Sequence, residues 1–222
     1  MKKIVFVLLA FSISLSAQES VVDSLEIQNL EEVIVSSTRV KENIPIAFNN
    51  VSKEDISKRN LGQDIPILLN FLPNVVTTSD AGAGIGYTGI RIRGINSQSI
   101  NVTINGIPYN DAESLGTFWV DLPDFSSSVE NLQVQRGIGT SVNGSSAFGA
   151  SINILTDKIS QNPYFESANT VGSFNTIKNN FRFSTGLLND TFEFSGRLSK
   201  IDSDGYIAVS YTHLTLPTIY SV

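Results

Sequence analysis

Between Ile177 and Ser199 the chain is written in two alternating patterns. Ile177, Phe181 and Phe183 alternate with Lys178, Asn180, Arg182 and Ser184, and Phe192, Phe194 and Leu198 alternate with Glu193, Ser195, Arg197 and Ser199. A period of two commits both stretches to extended backbone, because only a strand sends successive side chains to opposite faces. Each is roughly ten residues long, the length a tilted strand needs to cross a bilayer. They read as transmembrane β-strands, apolar toward lipid and polar toward an interior. The same alternation suits a soluble hairpin packed on a core, and what decides between the two lies at the other end of the chain.

There, Met1-Lys2-Lys3 supplies a positive start, Ile4 to Ile13 an apolar run, and Ser14-Leu15-Ser16-Ala17 a zone of small residues. This is the pattern of a secretory signal peptide over residues 1–17, with cleavage after Ala17. The apolar run falls short of the ~20 residues a helical anchor requires. No later stretch is long and apolar enough to span as a helix, so insertion into a membrane would have to be as strands. With export the cell outer membrane becomes the expected address, and its lipid an expected partner. Composition agrees: charged residues are 16% of the chain, against about 25% in ordinary globular domains. A net charge of −6 offers no basic footprint for phosphate backbones, so no nucleic acid partner is expected. The absence of cysteine removes disulfide frameworks and thiolate metal sites.

Residues 18–47 are polar and acid-rich and read as a flexible arm with one β-prone island, Val33-Ile34-Val35. That island is either part of an ordinary linker or a strand free to add itself to a partner's sheet. Ser52 and Asp55 form a capping-box start for a short helix ending near Gly62. Asp64 and Pro66 suit the first turn of a second helix, with Ile67, Leu68 and Phe71 as its stripe and Pro73 as its stop. Then the period becomes two. Ile90 and Ile92 oppose Arg91 and Arg93; Ile100, Val102 and Ile104 oppose Asn101, Thr103 and Asn105; Asn105-Gly106 marks a turn; Leu132 and Val134, then Ile152 and Ile154, mark two more strands. The expected fold class is α+β over residues 48–157, a small mixed sheet with short helices and long loops, followed over 163–207 by antiparallel transmembrane strands.

Chemistry of the catalytic kind is missing. Gly84-Ile85-Gly86-Tyr87-Thr88-Gly89 matches a dinucleotide-binding pattern, but it leads into an Ile/Arg strand rather than a helix, so no helix N-terminus would meet a pyrophosphate. It reads as a glycine loop. The single histidine, His213, has no companions for triad or zinc chemistry, and the carboxylate pairs Asp111/Glu113 and Asp202/Asp204 sit in polar loops. No catalytic residue, cofactor or metal is expected.

Three blocks in order resemble the plug of TonB-dependent receptors: LEEVIVSSTR from Leu30, IRIRGINSQSINVTINGIPYND from Ile90, and VENLQVQRGIGTSVNGSSAFGASINILT from Val129. The first is similar to the TonB box of the Bacteroidetes members. The resemblance implies a plug domain filling a barrel of about 22 strands, of which only the first few are present. It gives Glu32, Val33, Ile34, Val35 and Ser36 the role of pairing with the C-terminal domain of TonB in the TonB–ExbB–ExbD system. It places the ligand on plug apices at Thr78 to Thr88, Ile95 to Ser99 and Tyr109 to Trp119. There Tyr109, Phe118 and Trp119 would offer apolar surface and Asn96, Gln98 and Asn110 hydrogen bonds, unless these aromatics simply pack the plug. It puts Arg93 and Arg136 opposite carboxylates of the barrel wall.

With no extra domain before the plug, the expected cargo is a small-molecule metal chelate, a ferric siderophore or similar iron complex. The alternatives are a glycan importer and a soluble exported binding module. After Ile207 the chain departs from the family, and residues 208–222 resemble translated adapter sequence, with no expected function.

Overall fold

The computed structural model describes residues 39–41, 44–138 and 148–207, and the backbone alone of 212–221. The signal peptide and the coupling segment Glu32 to Ser36 lie outside the described residues. So do the arm from 18 to 38 and the stretch 139–147.

The chain enters as β1 (Phe48–Ser52), whose last residue caps α1 (Lys53–Arg59). Ser52 accepts from the Asp55 N–H while the Asp55 carboxylate accepts from the Ser52 N–H, so the capping box read from the sequence is formed. Asn60 caps the far end and Gly62 follows at φ +113°. The second helix, α2 (Ile65–Leu68), has only four residues, with Pro66 in its first turn. Its buried stripe is Ile65, Leu68, Leu69 and Leu72; Phe71 is turned to solvent beneath the Arg59 guanidinium, 4.0 Å from its ring. The expected stripe is therefore off by one position. The 3.6-residue period of Ile65, Leu68, Leu69 and Leu72 is the one that faces the sheet.

After α2 come β2 (Val75–Ser79) and β3 (Thr88–Ile92), an antiparallel pair joined by the glycine loop. Next are β4 (Ile100–Ile104), β5 (Ile107–Pro108), β6 (Val129–Arg136) and β7 (Ala150–Thr156). These join β1 in a five-stranded mixed sheet of order β1-β6-β7-β4-β5, in which β7 and β4 run parallel and the other neighbours antiparallel. Asn105 and Gly106, at φ 51° and 80°, make the β4–β5 turn, as the dipeptide demanded. One face of the sheet carries Leu132, Val134, Ile152, Ile154, Ile100 and Val102, packed with Ile56, Leu69 and Trp119 into the core.

The other face is polar and also buried, with Gln133, Gln135, Asn153 and Thr103. Thr103 donates to Asn153 (2.7 Å) and Gln135 to Gln133 (3.0 Å), which satisfies groups that water would otherwise serve. Val40 covers part of this face. The Gln133 amide accepts from the Val40 N–H (2.8 Å) and donates to its carbonyl (3.1 Å), so the arm, expected to be flexible up to 47, is fastened at Val40.

A four-stranded antiparallel sheet follows, with β8 (Tyr164–Val171), β9 (Ile177–Leu188), β10 (Phe192–Ser203) and β11 (Thr212–Ser221) in the order β11-β10-β9-β8. Segment 208–222, expected to carry no function, thus contributes a strand whose backbone pairs with β10.

Candidate functional site

The strands β8 to β10 are inside out. Phe165, Ile177, Phe181, Phe192, Phe194 and Leu198 are exposed, whereas Lys178, Asn180, Ser184, Glu193, Arg197, Ser199 and Ser203 are buried. A soluble sheet packed on a core buries its apolar face; here it is the polar face that is packed on a partner. The outer face is built for mutual contact: Phe165 stacks near Phe181 at 6.5 Å, Phe183 meets Phe194 at 5.8 Å, and a Cβ on Gly196 would sit 2.8 Å from the Phe183 ring.

The polar partner is the first domain, and the hub of the contact is Asp124. Its backbone lies in the left-handed region (φ 51°) just after Pro123, which turns a side chain only 1% exposed toward β9 and β10. Lys178 Nζ lies 2.5 Å from Oδ1. Arg197 donates to Oδ2 at 3.1 Å and to the Asp124 carbonyl at 2.8 Å, and Asn180 Nδ2 donates to Oδ2 at 2.7 Å. The hydroxyls of Ser199 and Ser127 donate as well. Burial alone would push this carboxyl up. The Lys178 charge and hydrogen bond, with those of Ser127 and Ser199, override it and hold Asp124 below the usual carboxylate range.

A second junction joins Asp157 to Lys53 Nζ and to Arg182 NH2, each at 2.5 Å, with Tyr164 OH 3.4 Å from the same guanidinium. The third anchors the connecting segment: Glu193 accepts from the Ser160 N–H at 2.9 Å and from the Ser184 hydroxyl.

The glycine loop meets the opposite end of β10 from that Glu193 anchor. The Ala81 carbonyl accepts from the N–H groups of Tyr206 (2.9 Å) and Ile207 (3.2 Å). A Cβ on Gly82 (φ +72°) would lie 2.8 Å from the Tyr206 Cβ, so the close approach needs glycine there. The Tyr206 ring sits edge-on to Phe174 at 5.4 Å, and Tyr87 stands out from the loop itself, all three exposed. Because the loop closes an antiparallel hairpin between β2 and β3, no helix follows its glycines.

The six ligand contacts expected from the sequence separate into two groups. Asn96, Gln98 and Phe118 are exposed, with Asn96 Nδ2 donating to Gln98 Oε1 at 2.9 Å. Trp119 is 2% exposed and belongs to the core, so it presents no face to a ligand. Asn110 is committed to the fold: its Oδ1 accepts from the Val102 N–H (2.7 Å) and its Nδ2 donates to the carbonyls of Ile100 (2.9 Å) and Leu115 (2.8 Å). Tyr109 is half-buried against the core. An aromatic residue in a loop signals apolar surface but not the direction in which it points.

Arg93 and Arg136 enter no ion pair among the described residues; Arg136 NH1 donates to the Pro73 carbonyl at 3.3 Å. The ion pairs that join the two sheets have the opposite polarity, acids from the first domain and bases from the strands. Sequence reading missed Asp124, because its partners on the strands lie 54 or more positions away. The available signal was the pair of inward cations Lys178 and Arg197, which demanded an acid from somewhere.

A family model described as TonB-dependent receptor plug domain matches residues 40–151. The vitamin B12 transporter BtuB of Vibrio vulnificus is 30% identical over 197 residues, 87% of this chain and 31% of that protein. The ferrienterobactin receptor of Escherichia coli is 25% identical over 176 residues, 71% of this chain and 24% of that protein. The structure of FpvA from P. aeruginosa with a heterologous pyoverdine and iron superposes with a TM-score of 0.56 at 16% identity, covering 72% of this chain and 21% of that one, a likeness of fold. The chain spans a third or less of the length of these relatives.

Proposed function

From the premise that this chain belongs to the TonB-dependent receptor plug domain family, we propose that it supplies the plug and first wall strands of an outer-membrane receptor that imports a scarce ligand. The observation that carries this reading is the inverted sheet, with exposed phenylalanines outside and Lys178, Asn180, Arg197 and Ser199 buried against the first domain inside. Only a strand set with lipid on one side and a plug on the other makes both faces favourable. In this reading residues 48–157 are the plug, 163–207 enter the wall, and residues 1–17 are a cleaved export signal. Glu32 to Ser36 are the segment that TonB captures. Resemblance of that segment to a Bacteroidetes TonB box remains part of the proposal.

The three-residue turn 189–191 lies at the Glu193 end of the wall, and the longer connections 172–176 and 204–211 lie at the end where the glycine loop sits. Short turns face the periplasm in such barrels and long loops the exterior, so the glycine loop is outward. There Tyr87, Phe174 and Tyr206 replace Trp119 as flat surface for the ligand, alongside Phe118, Asn96 and Gln98.

The favoured cargo is a ferric siderophore or similar iron complex, supported by the ferrienterobactin receptor among the relatives and by the aromatic surface. A corrinoid is the second reading, because a vitamin B12 transporter matches over most of this chain. Iron limitation is expected to raise expression of the intact gene severalfold. A response to cobalamin or to a polysaccharide with none to iron would transfer the cargo to that class.

A further inference from the structure

Arg182 of β9 and Arg197 of β10 are directly opposed in the strand register, and both project to the buried side. Like charges directly opposite one another destabilise a sheet, and with Lys178 this face of the wall carries three cations within five residues of β9 and one position of β10. Two acids of that face lie among the described residues: Glu193, engaged by Ser160 and Ser184, and the mostly exposed Glu166 of β8, 3.7 Å from Arg182 NH1. The buried counter-charge comes from the plug: Asp157 is the nearer acid to Arg182, and Asp124 takes Arg197 and Lys178 together.

Asp157 is a quarter exposed and shares its charge with Lys53, whereas Asp124 is sealed from water and faces partners sealed as well. Asp124 also holds a left-handed backbone that asparagine or glycine would adopt more easily. Such strain persists where the surroundings fix the position of the side chain.

We propose that Asp124 is the positioning residue that seats the plug on the wall, and that its contact with Lys178 and Arg197 is the latch opened whenever the plug is displaced. The proposal rests on the reading of β8 to β10 as barrel wall. Removing one partner of a buried charge set is far more costly than never having had it. A displaced plug therefore leaves Lys178 and Arg197 facing each other's field until water reaches them, and the pull of these cations on Asp124 returns the plug to its seat.

The test uses the intact receptor in the outer membrane of a Gram-negative host lacking TonB, so that no transport is needed. Plug retention is read as resistance to vancomycin, which is too large for ordinary porins. Asp124→Asn keeps the shape and removes the charge; it is expected to lower the inhibitory concentration at least fourfold at an unchanged level of receptor in the membrane. Adding Lys178→Met restores the original charge balance of the cluster and is expected to recover most of the resistance, which a merely misfolded plug would not do. Should Asp124→Asn fail to reach the membrane, Ser199→Ala, which removes one hydrogen bond to Asp124, is expected to give a smaller loss of resistance. Wild-type resistance in Asp124→Asn, or in Ser199→Ala where that is the variant read, overturns the latch and leaves the receptor reading standing. Absence of the unmutated chain from the outer membrane overturns the receptor reading and the latch with it.

Discussion

Asp64 lies beneath the glycine loop, 2% exposed, with the Thr88 hydroxyl (2.9 Å) and the Gly86 N–H as its donors. Burial raises its carboxyl to about 7, and those two hydrogen bonds offset only part of the effect. A value above that of the unfolded chain means that the folded chain binds the proton more tightly. The contribution of this carboxyl to stability is therefore greatest below about pH 4, falls as pH rises toward 7, and changes little beyond. At about 1.4 kcal/mol per pKa unit the ionised carboxyl costs the fold a few kcal/mol above neutrality. Asp64→Asn is expected to raise the thermal midpoint of the chain at pH 8 by several degrees and to leave it nearly unchanged at pH 4. Equal shifts at both pH values would mean that the carboxyl does not titrate in this range. At this scale the sequence was partly legible. The Ser52/Asp55 cap and the Asn105-Gly106 turn depend on near neighbours in the chain and were read correctly. The buried state of Asp64 and Trp119 depends on packing against other elements and was not.

Among the elements, β9 and β10 were the most legible, since alternation is intrinsic to a strand with two unlike faces. By contrast β1, with Asn49 and Asn50 at its centre, has no such pattern and takes its ladder from β6. The inner face of the central sheet could be read from its isoleucines. Its second face is polar and buried as well, and there Gln133 serves Val40 as a substitute for backbone. The apolar belt on β10 runs from Phe192 to Leu198 and stops at the Lys200–Asp202 pair (3.0 Å), which places Phe194 near its middle. Phe194→Arg in the intact receptor is expected to destabilise it by about 2–4 kcal/mol in lipid vesicles, the cost of a cation at the bilayer midplane. Asn179→Arg, opposite Lys200 at the rim of the belt, is expected to cost about 1 kcal/mol or less. Urea titration of the refolded receptor checks both; equal costs would remove the belt from the membrane.

At the scale of the whole molecule, the proposed receptor sits in an outer membrane that has neither ATP nor an ion gradient, and in that reading work on the plug arrives through the arm. The arm is fastened at its inner end, where Val40 is held by Gln133 and Arg39 by Asn50 and Asn131. A pull applied before residue 39 therefore loads β6 and β1 first. Upstream, Glu32 to Ser36 is the segment with β-propensity, and we infer that it pairs as an added strand with the C-terminal domain of TonB. Backbone hydrogen bonds would carry most of that contact. It should then tolerate a change of side chain but not proline, which lacks the N–H and fixes φ. Ile34→Pro in the intact receptor is expected to reduce uptake of radiolabelled ferric chelate to background while surface binding of the chelate stays unchanged, and Ile34→Val to transport at close to the normal rate. Normal transport by Ile34→Pro would place the coupling segment elsewhere in the arm. Loss of surface binding along with uptake would mean that residue 34 supports the fold of the plug rather than its connection to TonB.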